Sequence, residues 1–169
     1  MLSAISKRLA LALSVAAIAA CAPTAPATKA PTTVATSPAS LRIKLAAIYV
    51  DDQDKALRFY TEVLGFAKTA DVTNGPYRWL TVGAADDPNG AELQLALDNN
   101  PPAKAYQQAL FAQHQPAANF YTTDVQAAYE RLKARGATFT MPPTDVTMAK
   151  IAMVDDTCGN LIQLTQLVR

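Results

Sequence analysis

The chain has 169 residues, half of them hydrophobic and 17% charged, and its formal net charge at pH 7 is +1. Because basic and acidic residues nearly balance and form no basic stripe, the composition indicates no nucleic-acid partner. The two cysteines, Cys21 and Cys158, are too few for a disulfide framework, and the length suits one compact domain behind a short N-terminal segment.

Residues 1–21 are organised like a secretory signal. Lys7 and Arg8 precede the apolar run from Leu9 to Ala20, which is shorter than the roughly 20 apolar residues that a membrane-spanning helix needs. Small residues end this run in front of Cys21, and the pattern resembles the bacterial lipobox, whose cysteine becomes the lipid-bearing first residue of the mature protein. We therefore expect a lipidated Cys21 that attaches the protein to a membrane. An ordinary signal peptide cut nearby, or a short hydrophobic anchor, is the alternative.

Residues 22–40 form a linker of proline, alanine and threonine in which Lys29 is the one charged residue. Such a composition has little apolar surface to bury and stays extended, so it predicts a tether between membrane and domain. Ala22 follows the cysteine, where an aspartate would resemble an inner-membrane retention signal. The expected location is therefore the bacterial cell envelope, lipid-anchored at a periplasm-facing outer membrane if the host is Gram-negative.

Residues 43–97 predict a strand, a helix and three more strands. The apolar run 43–50 predicts the first strand, and Asp52 and its acidic neighbours place acceptors and negative charge at the start of a helix that stops at Gly65. Runs of strand-forming residues follow at about 67–73, 77–83 and 91–97.

Residues 117–167 repeat the same order of elements. A strand at 117–123 precedes Asp124, which can cap a helix that closes at Gly136. Three strands are then predicted at 137–141, 149–154 and 160–167. The connector between the repeats, residues 98–116, receives no regular element and is loop-like around His114.

A βαβββ unit written twice over about 125 residues resembles the vicinal oxygen chelate superfamily, which includes glyoxalase I, extradiol dioxygenases, and fosfomycin and bleomycin resistance proteins. The resemblance implies an α+β fold in which two βαβββ modules form a curved mixed sheet, with helices on the convex side and a concave cup. The segments that carry it are Val50 to Ala56, Phe59 and Tyr60, Leu64 to Phe66, Arg78 to Val82, Ala128 to Leu132, Gly136, and Asp156 to Asn160.

Metal-using members of that superfamily place ligands at four positions of the cup, which correspond by alignment to Leu45, Gln94, Ala117 and Gln163. Leucine and alanine have no donor atom, and a neutral amide is a weak ligand for a divalent transition metal. A register shift of two residues would replace Gln94 by Glu92 and still leave a single carboxylate. We therefore expect no metal and no other cofactor, with a divalent metal as the alternative.

Strand alternation predicts which side chains line the cup. In the fourth strand Leu93, Leu95 and Leu97 share the helix-facing side, and Gln94 and Glu92 share the other side. The predicted ligand-binding residues of the cup are Tyr49, Trp79, Gln94, Asn119, Tyr121 and Gln163.

Cys158 and the aromatic cup residues have different expected roles. Trp79 and Tyr121 would stack well on a planar ligand. Cys158 closely follows Asp155 and Asp156, which oppose thiolate formation, so we interpret it as a turn residue rather than a nucleophile.

Three functions remain open at this point. The preferred hypothesis is a metal-free protein that binds a small molecule in the cup. The second is a lyase, isomerase or dioxygenase with a non-standard site built from Glu92 and His114. The third is an interaction module whose cup edge is buried in a homodimer or against an envelope partner.

Overall fold

The computed structural model describes residues 41–168. The predicted signal, the linker and Cys21 lie outside this range. The first repeat contains β1 (Leu45–Val50), α1 (Gln53–Arg58) with a π-helical continuation (Phe59–Val63), β2 (Ala67–Asn74), β3 (Tyr77–Gly83) and β4 (Glu92–Leu97). After α2 (Pro101–Ala112), the second repeat contains β5 (Pro116–Tyr121), α3 (Val125–Ala134), β6 (Thr138–Val146), β7 (Ala149–Asp155) and β8 (Leu161–Leu167).

The strands form two four-stranded sheets with the same topology. Their orders are β1-β4-β3-β2 and β5-β8-β7-β6. The first strand of each repeat pairs parallel with the last, and the remaining pairs are antiparallel. This confirms the α+β class and the two βαβββ modules. No helix within residues 41–168 is long and apolar enough to cross a membrane.

The helices of both repeats begin and end as the sequence predicts. Asp52 caps α1 by accepting hydrogen bonds from the backbone N–H groups of Asp54 and Lys55, at 2.8 and 3.0 Å. Asp124 caps α3 through the N–H of Ala127 at 2.9 Å. Gly65 and Gly136 follow these helices with φ of 88° and 90°, in the left-handed region that glycine adopts without a steric penalty.

The connector contains a twelve-residue helix that sequence analysis missed. Pro101 and Pro102 fit the first turn of this helix, where the missing proline N–H has no partner anyway. Asn100 caps this helix by accepting from the N–H of Ala103 at 3.0 Å. The connector is therefore a rigid element between the repeats, and His114 lies immediately beyond its end.

One hydrophobic core serves both repeats. On the first sheet Leu95, Leu80 and Val50 are fully buried on the helix-facing side, as the alternation predicts. Aromatic rings join the repeats, since Phe120 of β5 lies 5.0 Å from Phe66 and 6.5 Å from Tyr60, centroid to centroid. Rings at such distances stabilise a fold beyond the area they bury, by about 0.5 to 1.5 kcal/mol per pair.

A buried polar network also joins the repeats, and its centre is the Asp156 carboxylate. One oxygen accepts from the N–H groups of Cys158 and Asn160, at 2.8 and 2.9 Å. The other accepts from the Asn160 amide at 2.7 Å and from the Tyr60 hydroxyl at 3.1 Å. Tyr60 belongs to the first repeat, so this carboxylate of the second repeat is satisfied partly across the boundary.

Gln107 connects α2 to the same network. Its side chain is 5% exposed, and its Nε2 lies 2.7 Å from the Tyr49 carbonyl, 2.9 Å from the Cys158 carbonyl and 3.3 Å from Asn160 Oδ1. Gly159 is required beside it, because a Cβ there would lie 2.9 Å from Gln107 Nε2 and the backbone has φ of +95°. The turn 156–160 is thus shaped to receive a side chain from the connector.

Cys158 is a buried member of this turn. Burial raises the pKa of its thiol to about 12, and the neighbouring Asp156 carboxylate acts in the same direction. The thiol therefore stays protonated at physiological pH, which agrees with its interpretation as a turn residue.

We predict that Gln107→Ala destabilises the protein by about 2 to 3 kcal/mol, because the buried Cys158 carbonyl loses its side-chain donor and the Tyr49 carbonyl keeps only that of Asn160. Urea unfolding followed by circular dichroism measures this loss. The matched control is Gln108→Ala, since Gln108 is the exposed neighbour on the same helix and its replacement should change stability by less than about 0.5 kcal/mol. Equal effects of the two substitutions would contradict the role given to Gln107.

Candidate functional site

The concave face of the first sheet carries mostly polar and aromatic side chains. Ala47 and Thr81 are both paired with Gln94, and Tyr49 is paired with Ala96, so these side chains point to the same side of the sheet. Gln94 donates from Nε2 to the Tyr77 hydroxyl at 2.9 Å. Trp79 lies two residues from Tyr77 on the same strand and is half-buried. The predicted cup residues of the first repeat therefore share one face.

Glu92 lies on this face with its carboxylate held in place. Its Oε2 accepts hydrogen bonds from the hydroxyls of Thr69 and Thr81, each at 3.0 Å. The Lys44 ammonium lies 3.7 Å from its Oε1. These hydrogen bonds lower the pKa of Glu92, and the bond from Thr69 has the largest effect. A carboxylate held in its charged form is a weak general base near neutral pH.

The concave face of the second sheet contains the other predicted cup residues. Asn119 is paired with Gln163, and Tyr121 is paired with Thr165. Gln163 donates from Nε2 to the Thr165 hydroxyl at 3.0 Å. Asn119 is exposed, and Tyr121 is 70% exposed. These side chains present hydrogen-bonding groups and one aromatic ring to the solvent.

A cavity of about 300 Å³ opens on the second sheet. Met153 is paired with Gln163 across the sheet, which places the methionine on the concave side. Methionine side chains adapt their shape and make favourable contacts with aromatic rings. The cavity is lined by His114, Thr140, Met141, Met153 and Leu161.

His114 enters this cavity from a strained backbone position. Its φ is 54°, in the left-handed region that non-glycine residues seldom adopt. Its N–H donates to the Phe111 carbonyl at 3.1 Å, and the N–H of Gln115 donates to the Leu110 carbonyl at 2.9 Å. This pair of bonds forms the Schellman motif that ends α2, at whose left-handed position glycine is the usual residue. A histidine at this position is less stable than a glycine would be, and such strained residues cluster at functional sites.

Glu92 and His114 are not brought together within the chain. Glu92 lies in β4 of the first sheet and bonds to threonines of that sheet, whereas His114 lines the cavity of the second sheet. No contact between them supports an acid–base pair.

The residues at the predicted metal-ligand positions do not fit a metal site. Leu45 is paired with Glu92 and Gln94 with Ala47, so Glu92 rather than Gln94 lies directly beside Leu45. Leu45 and Ala117 have no donor atoms in either register. Within residues 41–168, no group of three or more His, Cys, Asp or Glu side chains could hold a metal ion.

Sequence analysis missed the two methionines and Tyr77 on the concave faces. Alternation along β7 places Met153 on the same side as Ile151 and could have found it. Met141 is harder, because β6 has register shifts on both sides of this residue. Tyr77 lies two residues before Trp79 on β3, so the alternation that predicts Trp79 could have found it too.

Curated proteins with similar sequences cover this domain. Uncharacterized protein YurT of Bacillus subtilis (strain 168) is 48% identical over 126 residues, which span 75% of this chain and 99% of YurT. Uncharacterized protein YetH of the same strain is 31% identical over 126 residues, which span 74% of this chain and 98% of YetH. These relatives therefore consist of little more than the matched domain.

Solved structures with the same fold are also similar in sequence. UcmS2 is 33% identical with a TM-score of 0.65, and the match covers 75% of this chain and 98% of UcmS2. TnmS3, an antibiotic binding protein from Streptomyces sp. CB03234, is 29% identical with a TM-score of 0.62, and the match covers 78% of this chain and all of TnmS3. Residues 42–164 match the sequence profile of the Glyoxalase/Bleomycin resistance protein/Dioxygenase superfamily. The chain therefore belongs to this superfamily.

Proposed function

We propose that the domain binds a small, largely apolar and planar molecule on its concave faces, without chemistry on the ligand. The observation that carries the proposal is the cavity of about 300 Å³ on the second sheet, lined by two methionines, a leucine, a threonine and a histidine. Cavities of this size, mostly apolar with a few polar groups, are typical of ligand sites. The similarity to TnmS3, an antibiotic binding protein, supports the proposal.

The side chains of the cavity and of the two concave faces favour an aromatic ligand. Met141 and Met153 offer polarisable sulfur to a ring, and Trp79 and Tyr121 offer aromatic faces. Gln163 and Asn119 lie on the same face as the methionine pair and can orient polar substituents. His114 adds one group that can donate or accept a hydrogen bond.

The proposal includes no metal, because the donor set is unsuited to one. Two of the four aligned positions carry no donor atom, and Gln94 and Gln163 are neutral amides, which are weak ligands for a divalent transition metal. Binding therefore relies on apolar contact and hydrogen bonds from the chain's own side chains.

We further propose that Cys21 is lipidated and holds the domain at the cell envelope, on the strength of the N-terminal sequence alone. Cells expressing the full chain and fed an alkyne-bearing palmitate should yield labelled protein in the membrane fraction. Cys21→Ser should remove the label and release the protein from the membranes. A labelled Cys21→Ser protein would exclude this site of attachment.

Binding can be followed through Trp79, the one tryptophan of the chain. We expect at least one planar aromatic antibiotic from a panel of a tetracycline, a quinolone and an anthracycline to quench its fluorescence saturably. Met153→Gln should weaken that binding at least tenfold, about 1.4 kcal/mol, because a polar group replaces an apolar contact. Met148→Gln is the matched control, since Met148 is 74% exposed at the β6–β7 turn. Absence of saturable quenching with all three compounds, or equal loss in both variants, would count against the cavity.

The strain at His114 gives a second test. His114→Gly should raise the free energy of unfolding by about 0.5 to 1 kcal/mol, because glycine adopts the left-handed conformation freely. The same change should weaken binding of the quenching ligand, since the imidazole is lost from the cavity.

His114→Ala separates the two effects, because alanine keeps the backbone strain and also removes the imidazole. It should weaken binding as much as glycine does, without stabilising the fold. Thermal unfolding and fluorescence titration of both variants measure this. Unchanged affinity in both would show that the histidine serves only to end α2.

A further inference from the structure

A second cavity, of about 200 Å³, lies at the end of the first sheet, where β3 begins and β4 ends. It is smaller than the pockets of whole drug-sized ligands, which begin at about 300 Å³, so it suits one substituent of a ligand. Its lining includes the side chains of Gln53, Tyr77, Ala96, Asn99 and Asn100.

Gln53 is the buried polar group of this cavity. Its side chain is 7% exposed, and its Nε2 donates to the carbonyls of Leu95 and Arg78, at 2.7 and 3.1 Å. These two acceptors fix the orientation of the amide, because a flipped group would set oxygen against oxygen.

The Gln53 Oε1 atom is left without a protein partner among residues 41–168. It is not sealed in the core either, since no fully buried side-chain oxygen or nitrogen in that range lacks a hydrogen bond. The atom is therefore accessible, and because Gln53 lines the cavity it can accept a hydrogen bond from a molecule that enters.

Other residues that line the cavity can donate hydrogen bonds. The Tyr77 hydroxyl accepts from Gln94, so its own hydrogen is available. Asn100 uses its Oδ1 to cap α2 through the N–H of Ala103, which leaves its Nδ2 to donate. Asn99 is exposed at the opening.

The charge of the cavity wall is already neutralised. Arg78 donates to Asp71 from Nε at 2.7 Å and from one terminal nitrogen at 3.0 Å, and to Asp54 from the other at 2.7 Å. With its donors directed to two carboxylates, Arg78 offers little to an anion. Both aspartates form ion pairs with Arg78, and Lys68 lies 3.1 Å from Asp71. Their negative charge is therefore compensated, and they offer little to a cation.

We infer that this cavity is a subsite for an uncharged group that both donates and accepts hydrogen bonds, a carboxamide or the hydroxyls of a sugar ring. It adjoins the concave face, because Tyr77 and Ala96 lie on that face and Gln94 bonds to Tyr77. The inference rests on the proposed function and assigns the polar substituent of the bound molecule to this end of the first sheet.

The test uses the isolated domain, residues 41–169, because relatives such as TnmS3 have structures of little more than this domain. Nitrogen-15 NMR spectra are recorded with acetamide and glucose as uncharged probes, and with acetate and methylammonium as charged controls. We expect saturable shifts of the Gln53 side-chain amide and of the backbone amides of Tyr77 and Asn99, with millimolar dissociation constants. The charged controls should bind at least tenfold more weakly. Shifts with neither uncharged probe, or equal shifts with acetate, would overturn the inference.

Substitution of Gln53 itself would remove the side-chain donor of the Leu95 and Arg78 carbonyls and could destabilise the fold. A variant that fills the cavity with a larger side chain avoids this problem. Ala96→Leu should fill the cavity from the concave face and weaken binding of the effective probe at least tenfold, and Tyr77→Phe should weaken it severalfold. Ala109→Leu, on an exposed position of α2, is the control and should leave binding unchanged. If an aromatic antibiotic still quenches Trp79 fluorescence while neither uncharged probe binds, the subsite is rejected and the proposed function is not.

Discussion

The buried carboxylate of Asp156 is the group on which the joining of the two repeats depends. Burial raises the pKa of this carboxyl, while hydrogen bonds from Asn160, Cys158 and Tyr60 oppose the rise. Burial first, and then the nearby Asp156, raise the pKa of Tyr60 far above its ordinary value, so that its hydroxyl remains a donor. An ionisable group removed from water is tolerated only when donors converge on it. Here those donors come from both repeats, and Gln107 of the connecting helix bonds to the same turn, so the relative position of the modules is fixed by polar geometry as well as by the aromatic core.

Duplication has produced two concave faces with different chemistry. Gln94 and Gln163 occupy matched positions, and Tyr49 matches Tyr121. On the strands beside the glutamines, however, Thr81 of the first face corresponds to Met153 of the second. The first face carries a fixed carboxylate, and the second carries a cavity lined by two methionines beside the polar Gln163 and Asn119. A ligand that contacts both faces would be oriented by this difference.

The sequence predicted the features of this fold that follow local patterns, but not the contacts between residues far apart in the chain. Aspartate caps, glycine stops and strand alternation are local patterns, and each is confirmed in the structure. Gln107 and Gln108 are indistinguishable in sequence, because the partners of Gln107 lie 51 to 58 residues away. The same holds for Gln53, which bonds to carbonyls 25 and 42 residues distant. Met141 was hidden by the register shifts of β6, and α2 begins at two prolines, residues that mark a helix start as readily as a break.

The hydrogen bonds of the Tyr49 carbonyl affect how the two repeats unfold. The carbonyls of Lys44 and Val50, at the two ends of β1, point toward β4 and accept hydrogen bonds at its two ends. Because successive carbonyls of a strand point in opposite directions, the Tyr49 carbonyl points away from β4, toward the free edge of the sheet. There it accepts from Gln107 and from Asn160, so an edge strand of one repeat is completed by the connector and by the other repeat. Detachment of the second repeat would take one donor from this carbonyl, so we expect the two repeats to open as one cooperative unit, with amide exchange in β1 and β8 governed by a shared opening reaction.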